Sequence, residues 1–154
     1  MTFDQFINDY LNKGLINEIK VNTKSIENLI RRASKEIKVA EANLIIDEGV
    51  AFTVAYTAML HTARALMFFK GYRPADGYQH KTAVEFAGYV LGEKYKNLIL
   101  HFDKMRKKRN IFTYEASISI SETEVKNAIS TASQFVTEVK KIIDKENPQL
   151  KLEF

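Results

Sequence analysis

Cysteine and tryptophan are both absent from these 154 residues, and only two prolines and six glycines interrupt the chain. Without thiols there is no disulfide framework, no thiolate metal site and no redox side chain; the absence suits a reducing compartment. With so few breakers no Pro/Gly/Ser-rich linker divides the sequence, and its length suits one domain, residues 1–154, with its own core. The opening MTFDQFINDY carries acids where a secretory leader would carry cations, and no apolar run precedes a small-residue cleavage site. A cytoplasmic protein is expected. The one long apolar run, Val50 to Phe69, contains His61, Arg64 and several threonines. Charges are costly at bilayer depth, so this run reads as a buried core helix and no membrane partner is expected. There is no internal repeat, low-complexity tract or phosphate-binding glycine loop. The three histidines, His61, His80 and His101, are isolated, so neither a metal nor a cofactor is expected. His61 reads as a satisfied core histidine.

What the sequence does have is helical periodicity. Thr2 can cap a short helix carrying Phe3, Phe6, Ile7, Tyr10 and Leu11 and ending near Gly14. From about Thr23 to Ile46, apolar residues at 26, 30, 33, 37, 40 and 44 form a continuous stripe. A third helix, about Val50 to Lys70, is apolar on nearly all sides and stops at Gly71, which makes it the central one. The segment Gly71 to Gln79 has the punctuation of a surface loop, with Tyr72 and Tyr78 as exposed aromatics available to an interface. A shorter helix, about Lys81 to Leu91, ends at Gly92. Another runs from about Lys94 to Ala116. Ser121-Glu-Thr-Glu124 is a capping box opening a last helix with Val125, Ala128, Ile129, Ala132, Phe135, Val136, Val139, Ile142 and Ile143 on one face. Pro148 stops it, and the tail from Gln149 is expected to be loose. No convincing period of two occurs, so the class is all-α.

The net charge of +4 is modest, and its distribution says more than its size. Lys104, Arg106, Lys107, Lys108 and Arg109 occupy five of six consecutive positions. On a helix, Leu98, Met105, Phe112 and Ala116 share one face with Phe102 at its edge. Arg109 falls on the border of that stripe beside Thr113, and Arg106, Asn110 and Tyr114 form an adjoining i, i+4, i+8 row. Lys104, Lys107 and Lys108 point further out. A guanidinium presents a fork to phosphate oxygens, an amide donates to the same group, and a phenol stacks or hydrogen-bonds. These are parts for handling a phosphodiester. The plainer alternatives are an interface salt bridge for Arg109 and an amphipathic packing role for Tyr114. Arg64, on the apolar central helix, must find a carboxylate or water.

Ala55-Tyr56-Thr-Ala-Met59-Leu-His61-Thr-Ala63-Arg64-Ala65-Leu66, the segment His80-Lys81-Thr82, and Arg109-Asn110-x-x-x-Tyr114 together resemble motifs of the HEPN superfamily. The likeness spans roughly residues 24 to 145. It implies an antiparallel up-and-down bundle of four to five helices with one short extra helix, commonly dimeric, with signature arginines facing each other across a composite cleft. It further implies a metal-independent endoribonuclease toxin, in which an arginine and a following histidine promote attack of the ribose 2′-hydroxyl on the adjacent phosphate. Tyr114 stands in the histidine slot, and no histidine lies between 102 and 154. On this basis Arg109, Asn110 and Tyr114 are the catalytic candidates, and Arg106, Lys107, Thr113, Arg64 and His101 the RNA- or nucleotide-binding candidates. The alternative it implies is a non-catalytic nucleotide-binding module or regulatory partner of a minimal nucleotidyltransferase, which in some systems adenylylates a tyrosine near the motif.

Overall fold

Among the described residues six α-helices follow one another: α1 (Phe3–Asn12), α2 (Thr23–Asn43), α3 (Glu48–Phe69), α4 (Gln79–Leu91), α5 (Lys96–Tyr114) and α6 (Glu122–Glu146), with a 3₁₀ turn at Glu93–Tyr95 before α5. They are seen in a computed structural model that describes residues 1–75 and 79–152. The class is the all-α antiparallel bundle expected. Several helix starts are fixed by side chains that satisfy otherwise free amides. Thr2 and Gln5 form a capping box on α1, Asn22 caps α2 through the Ser25 amide, Asp47 caps α3 through the Val50 amide, and Ser121 with Glu124 boxes α6. At the other end of α3, Gly71 at φ +90° takes a conformation that side chains rarely adopt, and its amide returns to the Phe68 carbonyl.

Helix α3 is central because its apolar surface runs all the way round. Thirteen of its residues, from Gly49 to Met67, are buried, and α2, α4, α5 and α6 all pack on it. Each neighbour contributes a stripe: Ile26, Ile30, Ala33, Ile37 and Ala40 from α2, and Val125, Ala128, Phe135, Val139 and Ile143 from α6. Glu36 is a buried polar exception on α2. It accepts from Arg32 Nε at 3.0 Å and lies 2.9 Å from His61 Nδ1, which gives His61 a structural partner on the α2 side of α3. Helix α1 closes one edge of the bundle, setting Phe6 against Phe86 and Tyr89 of α4. No helix among the described residues is long and apolar enough to cross a membrane.

Four details depart from the sequence reading. Residues 16–18 and 72–74 pair as an antiparallel ribbon of strands β1 (Ile16–Glu18) and β2 (Tyr72–Pro74), with Ile16 opposite Pro74. Strands of three residues are too short to carry a period-two signal. The ribbon also half-buries Tyr72, whose ring packs near Phe86, so Tyr72 is not a free aromatic; Tyr78 lies outside the described residues. The tail is not loose as far as Leu152: Leu150 and Leu152 are buried in the main core, an apolar pair two residues apart that burial outweighs chain entropy to dock. Helix α5 stops at Tyr114, leaving Ala116 exposed and outside it.

The carboxyl half of α5 is seated on the amino end of α3. The Phe112 ring tip occupies the space that a Cβ at Gly49 would fill. Gly49→Ala is therefore expected to lower stability by about 1–3 kcal/mol through this overlap. Gly88→Ala, whose new methyl meets Ile99 at an ordinary 3.4 Å, is the control and should be neutral or stabilising, since alanine is the better helix former. Urea midpoints of the two variants decide the matter.

Candidate functional site

The pitch of α5 sorts its polar residues to different sides. At about 100° per residue, Leu98, Phe102, Met105, Arg109 and Phe112 fall within an arc of about 80°. Leu98, Phe102 and Met105 are buried and Phe112 half-buried, so this arc is the inward face. Arg109 stands in its middle, not on the border assigned from sequence. That assignment counted Ala116 in the stripe and Phe102 as its edge, whereas Phe102 is fully buried against Tyr56 and Phe135.

Opposite Arg109 lie Tyr56 and Arg64 of α3 and His80 in the first turn of α4. The Tyr56 ring is buried, and its hydroxyl is 3.0 Å from His80 Nδ1. Burial pushes the Tyr56 phenol well above its ordinary value, against the pull of Arg106 and Arg109, so it keeps its proton. Burial and the charges of Arg109, Arg64 and Arg106 hold His80 below its ordinary value. The positive amino end of α4 acts in the same direction. Three guanidinium groups from two helices thus converge on one imidazole.

Two of those guanidiniums are incompletely satisfied. The Nε groups of Arg64 and Arg109 are buried and have no hydrogen-bond partner among the described residues, a costly arrangement for a charged donor. Arg106 differs. Its Nε donates to Asp103 Oδ1 at 2.9 Å, and Lys107 Nζ reaches Asp103 Oδ2 at 3.2 Å. Burial works to raise the Asp103 carboxyl, yet the hydrogen bonds from Arg106 and Lys107 outweigh it and keep it below its ordinary value. Glu85 of α4 approaches the same flank. It accepts from the Tyr10 hydroxyl, and burial together with the Asp103 charge raises its carboxyl. The resulting site has a cationic floor with an acidic edge.

Of the residues singled out from sequence, Arg64, Arg106 and Arg109 come together around His80. Asn110 is half-buried next to Arg106 on the α5 surface, and Lys107 is exposed. Thr113 is exposed and donates its hydroxyl to the Arg109 carbonyl at 2.8 Å. Tyr114 lies about 140° round the helix from Arg109 and is 84% exposed; its ring does not enter the core. His101 is on the opposite flank, 2.7 Å from the Thr131 hydroxyl of α6, where Lys108 also reaches Glu124. The structure does not bring it to the arginines. Tyr56 and Asp103 were not singled out as site residues. Asp103 was legible as an acid three and four positions before Arg106 and Lys107, whereas nothing in the sequence announces the Tyr56 contact with His80 across 24 residues. Among the described residues no group of three or more His, Cys, Asp or Glu side chains is placed to hold a metal ion.

The molecule is thus a helical-bundle domain with a cluster of cationic side chains where α3, α4 and α5 meet. The HEPN domain model matches residues 26–142, and the chain belongs to that family. No curated protein is found to match it.

Two measurements follow from this geometry. Arg64→Met removes a buried donor that has no partner among the described residues. It is expected to raise stability by about 1–3 kcal/mol in anion-free buffer, while inorganic phosphate should raise the melting temperature of wild type more than that of the variant. His80, with its ordinary value at 6.5, binds its proton less readily folded than unfolded, so stability is complete above about pH 6.5 and declines as pH falls below it. His101, lowered by burial and by Lys104, acts with the same sign. Melting temperature against pH should fall on the acid side, and His80→Gln should make the slope shallower.

Proposed function

We propose that this HEPN domain binds the phosphodiester backbone of RNA in the cleft between α3, α4 and α5 and cleaves it without a metal, as an endoribonuclease of the toxin type. The observation that carries this reading is the pair of buried, unpartnered Nε–H groups on Arg64 and Arg109, facing a histidine. Guanidinium forks match phosphate oxygens, and an Nε–H that has already lost its water binds an anion with less further desolvation cost. Arg109 sits at the centre of the site and Arg106 at its wall; Asn110 extends the wall, and Lys107 and Thr113 form the outer rim. The same cations are suited to the extra negative charge of a five-coordinate phosphorus.

A homodimer is part of this reading. Ile45 (93% exposed), Ile46, Val50, Ile111 and Tyr114 are exposed apolar or aromatic side chains on the α2–α3 connection, the start of α3 and the end of α5, which Phe112 and Gly49 hold together. Such a rim beside the arginines suits a second copy.

One observation favours the second reading. Tyr114 is exposed at a helix end, with its hydroxyl open to another protein's active site. That is what a tyrosine modified by a minimal nucleotidyltransferase requires, and the domain would then be the partner of such an enzyme.

Purified protein incubated with mixed cellular RNA in chelator is expected to cleave it, and Arg109→Ala, purified identically, to lose about 10²-fold or more of the rate. Intact RNA at high wild-type concentration would remove the nuclease reading. Mass spectrometry of Tyr114 after incubation with ATP and a cognate transferase then tests the second.

A further inference from the structure

The geometry points to His80, held by Tyr56, as the group that moves the proton in this cleavage, a role that Tyr114 is not placed to fill. This rests on the phosphodiester reading above. Three observations support it.

The first is position. Tyr114 lies outward, about 140° from Arg109 on the helix, and is 84% exposed. His101, the histidine on α5 itself, is engaged with Thr131 on the α6 flank. His61 faces Glu36 of α2. His80 is the remaining histidine, and it sits where the charges of Arg64, Arg106 and Arg109 are felt. No other side chain type titrates near neutrality without a large perturbation.

The second is the hold on its ring. The Tyr56 hydroxyl meets Nδ1 at 3.0 Å, and the Tyr56 ring is fixed by burial against Phe102. A phenol that keeps its proton retains acceptor lone pairs on oxygen, so it can accept from Nδ1–H. That tautomer leaves the lone pair on Nε2 free. A hydrogen bond to one imidazole nitrogen setting the state of the other is how a histidine is oriented for proton transfer.

The third is charge. The groups facing His80 are Tyr56 and Arg64 from α3 and Arg106 and Arg109 from α5. On its own helix, Glu85 is directed toward Asp103 and Tyr10. Burial and the three cations favour the neutral imidazole, which is the form a base requires. A bound phosphodiester offsets their charge, and the imidazolium formed during reaction is then tolerated.

In the step itself, Nε2 of neutral His80 takes the proton of the ribose 2′-hydroxyl as the 2′-oxygen forms its bond to phosphorus. The bond from phosphorus to the 5′-oxygen breaks, and that oxygen leaves with its electron pair and takes a proton from solvent. The products are a 2′,3′-cyclic phosphate and a 5′-hydroxyl. The imidazolium returns its proton to water, so protons and charge balance. Tyr56 is a positioning residue, acting through the ring it holds.

The test uses full-length wild type, His80→Asn and Tyr56→Phe, with an oligoribonucleotide in chelator and its 2′-O-methyl counterpart as a binding probe that cannot react. Wild type is expected to give cyclic-phosphate ends at a rate that rises with pH to a plateau. His80→Asn is expected to bind the 2′-O-methyl RNA as wild type does while losing about 10²–10⁴-fold in kcat. Tyr56→Phe should shift the acid limb to lower pH, because the imidazolium loses its acceptor. Wild-type cleavage that persists in His80→Asn with an unchanged pH profile would overturn the role of His80 and leave the ribonuclease standing. Loss of 2′-O-methyl RNA binding in His80→Asn, matching the loss of rate, would make His80 a binding residue and overturn it as well. No cleavage by wild type would end both readings.

Discussion

Everything in this molecule follows from the need to cover α3 on every side. A helix with apolar residues around its whole circumference has no face for water, and α2, α4, α5 and α6 each supply part of the cover. Their stripes fix which way each helix turns, and so fix which of their polar residues point inward and which out. Arg109 is inward because Met105 and Phe102, one and two turns before it, are committed to the core. The position of Arg109 is here a by-product of packing.

The cover is incomplete where α3 meets α4 and α5 beside His80, and two polar groups of α3 are found there. Tyr56 and Arg64 are carried on the most buried helix of the bundle, yet both look toward His80 and the arginines of α5. Burying a guanidinium nitrogen without an acceptor works against folding, and the bundle tolerates it because the surrounding core is large and continuous. Glu36, by contrast, is buried with two partners, Arg32 and His61. His61 of the one cluster and Arg64 of the other are neighbours one turn apart on the same helix. The Glu36 cluster is satisfied within the chain, whereas the Nε groups of Arg64 and Arg109 find no acceptor among the described residues.

Much of this was legible in the sequence, for identifiable reasons. The stripe of α2, the breakers Gly71 and Gly92, and the Ser121–Glu124 box are local signals that tertiary structure had no reason to override. The central place of α3 followed from its composition. What the sequence hid was non-local. The β1–β2 pairing joins residues 16–18 to 72–74, the docking of Leu150 and Leu152 depends on a surface formed elsewhere, and the Tyr56–His80 contact crosses from one helix to another. Within the site, Arg64, Arg106 and Arg109 could be singled out because cations on or beside apolar faces are conspicuous. Helical geometry applied to a stripe that counted Phe102 as its edge put Arg109 at the border. The same geometry, with Phe102 inside, puts it in the middle.

The small ribbon also bears on the order of assembly. Pairing Ile16 with Pro74 closes a loop whose interior is essentially the α2–α3 hairpin, and that hairpin is joined by a short turn and zips up through contacts close in sequence. Once it has formed, the two ends of the loop are already neighbours, and the remaining closure entropy is small. The ribbon is then a late clasp. It fixes Ala75, whose amide reaches the Leu15 carbonyl at 2.9 Å, only a few residues ahead of His80. The imidazole of α4 is thereby tethered to the hairpin that carries Tyr56 and Arg64, within a span too short for α4 to dock far from them.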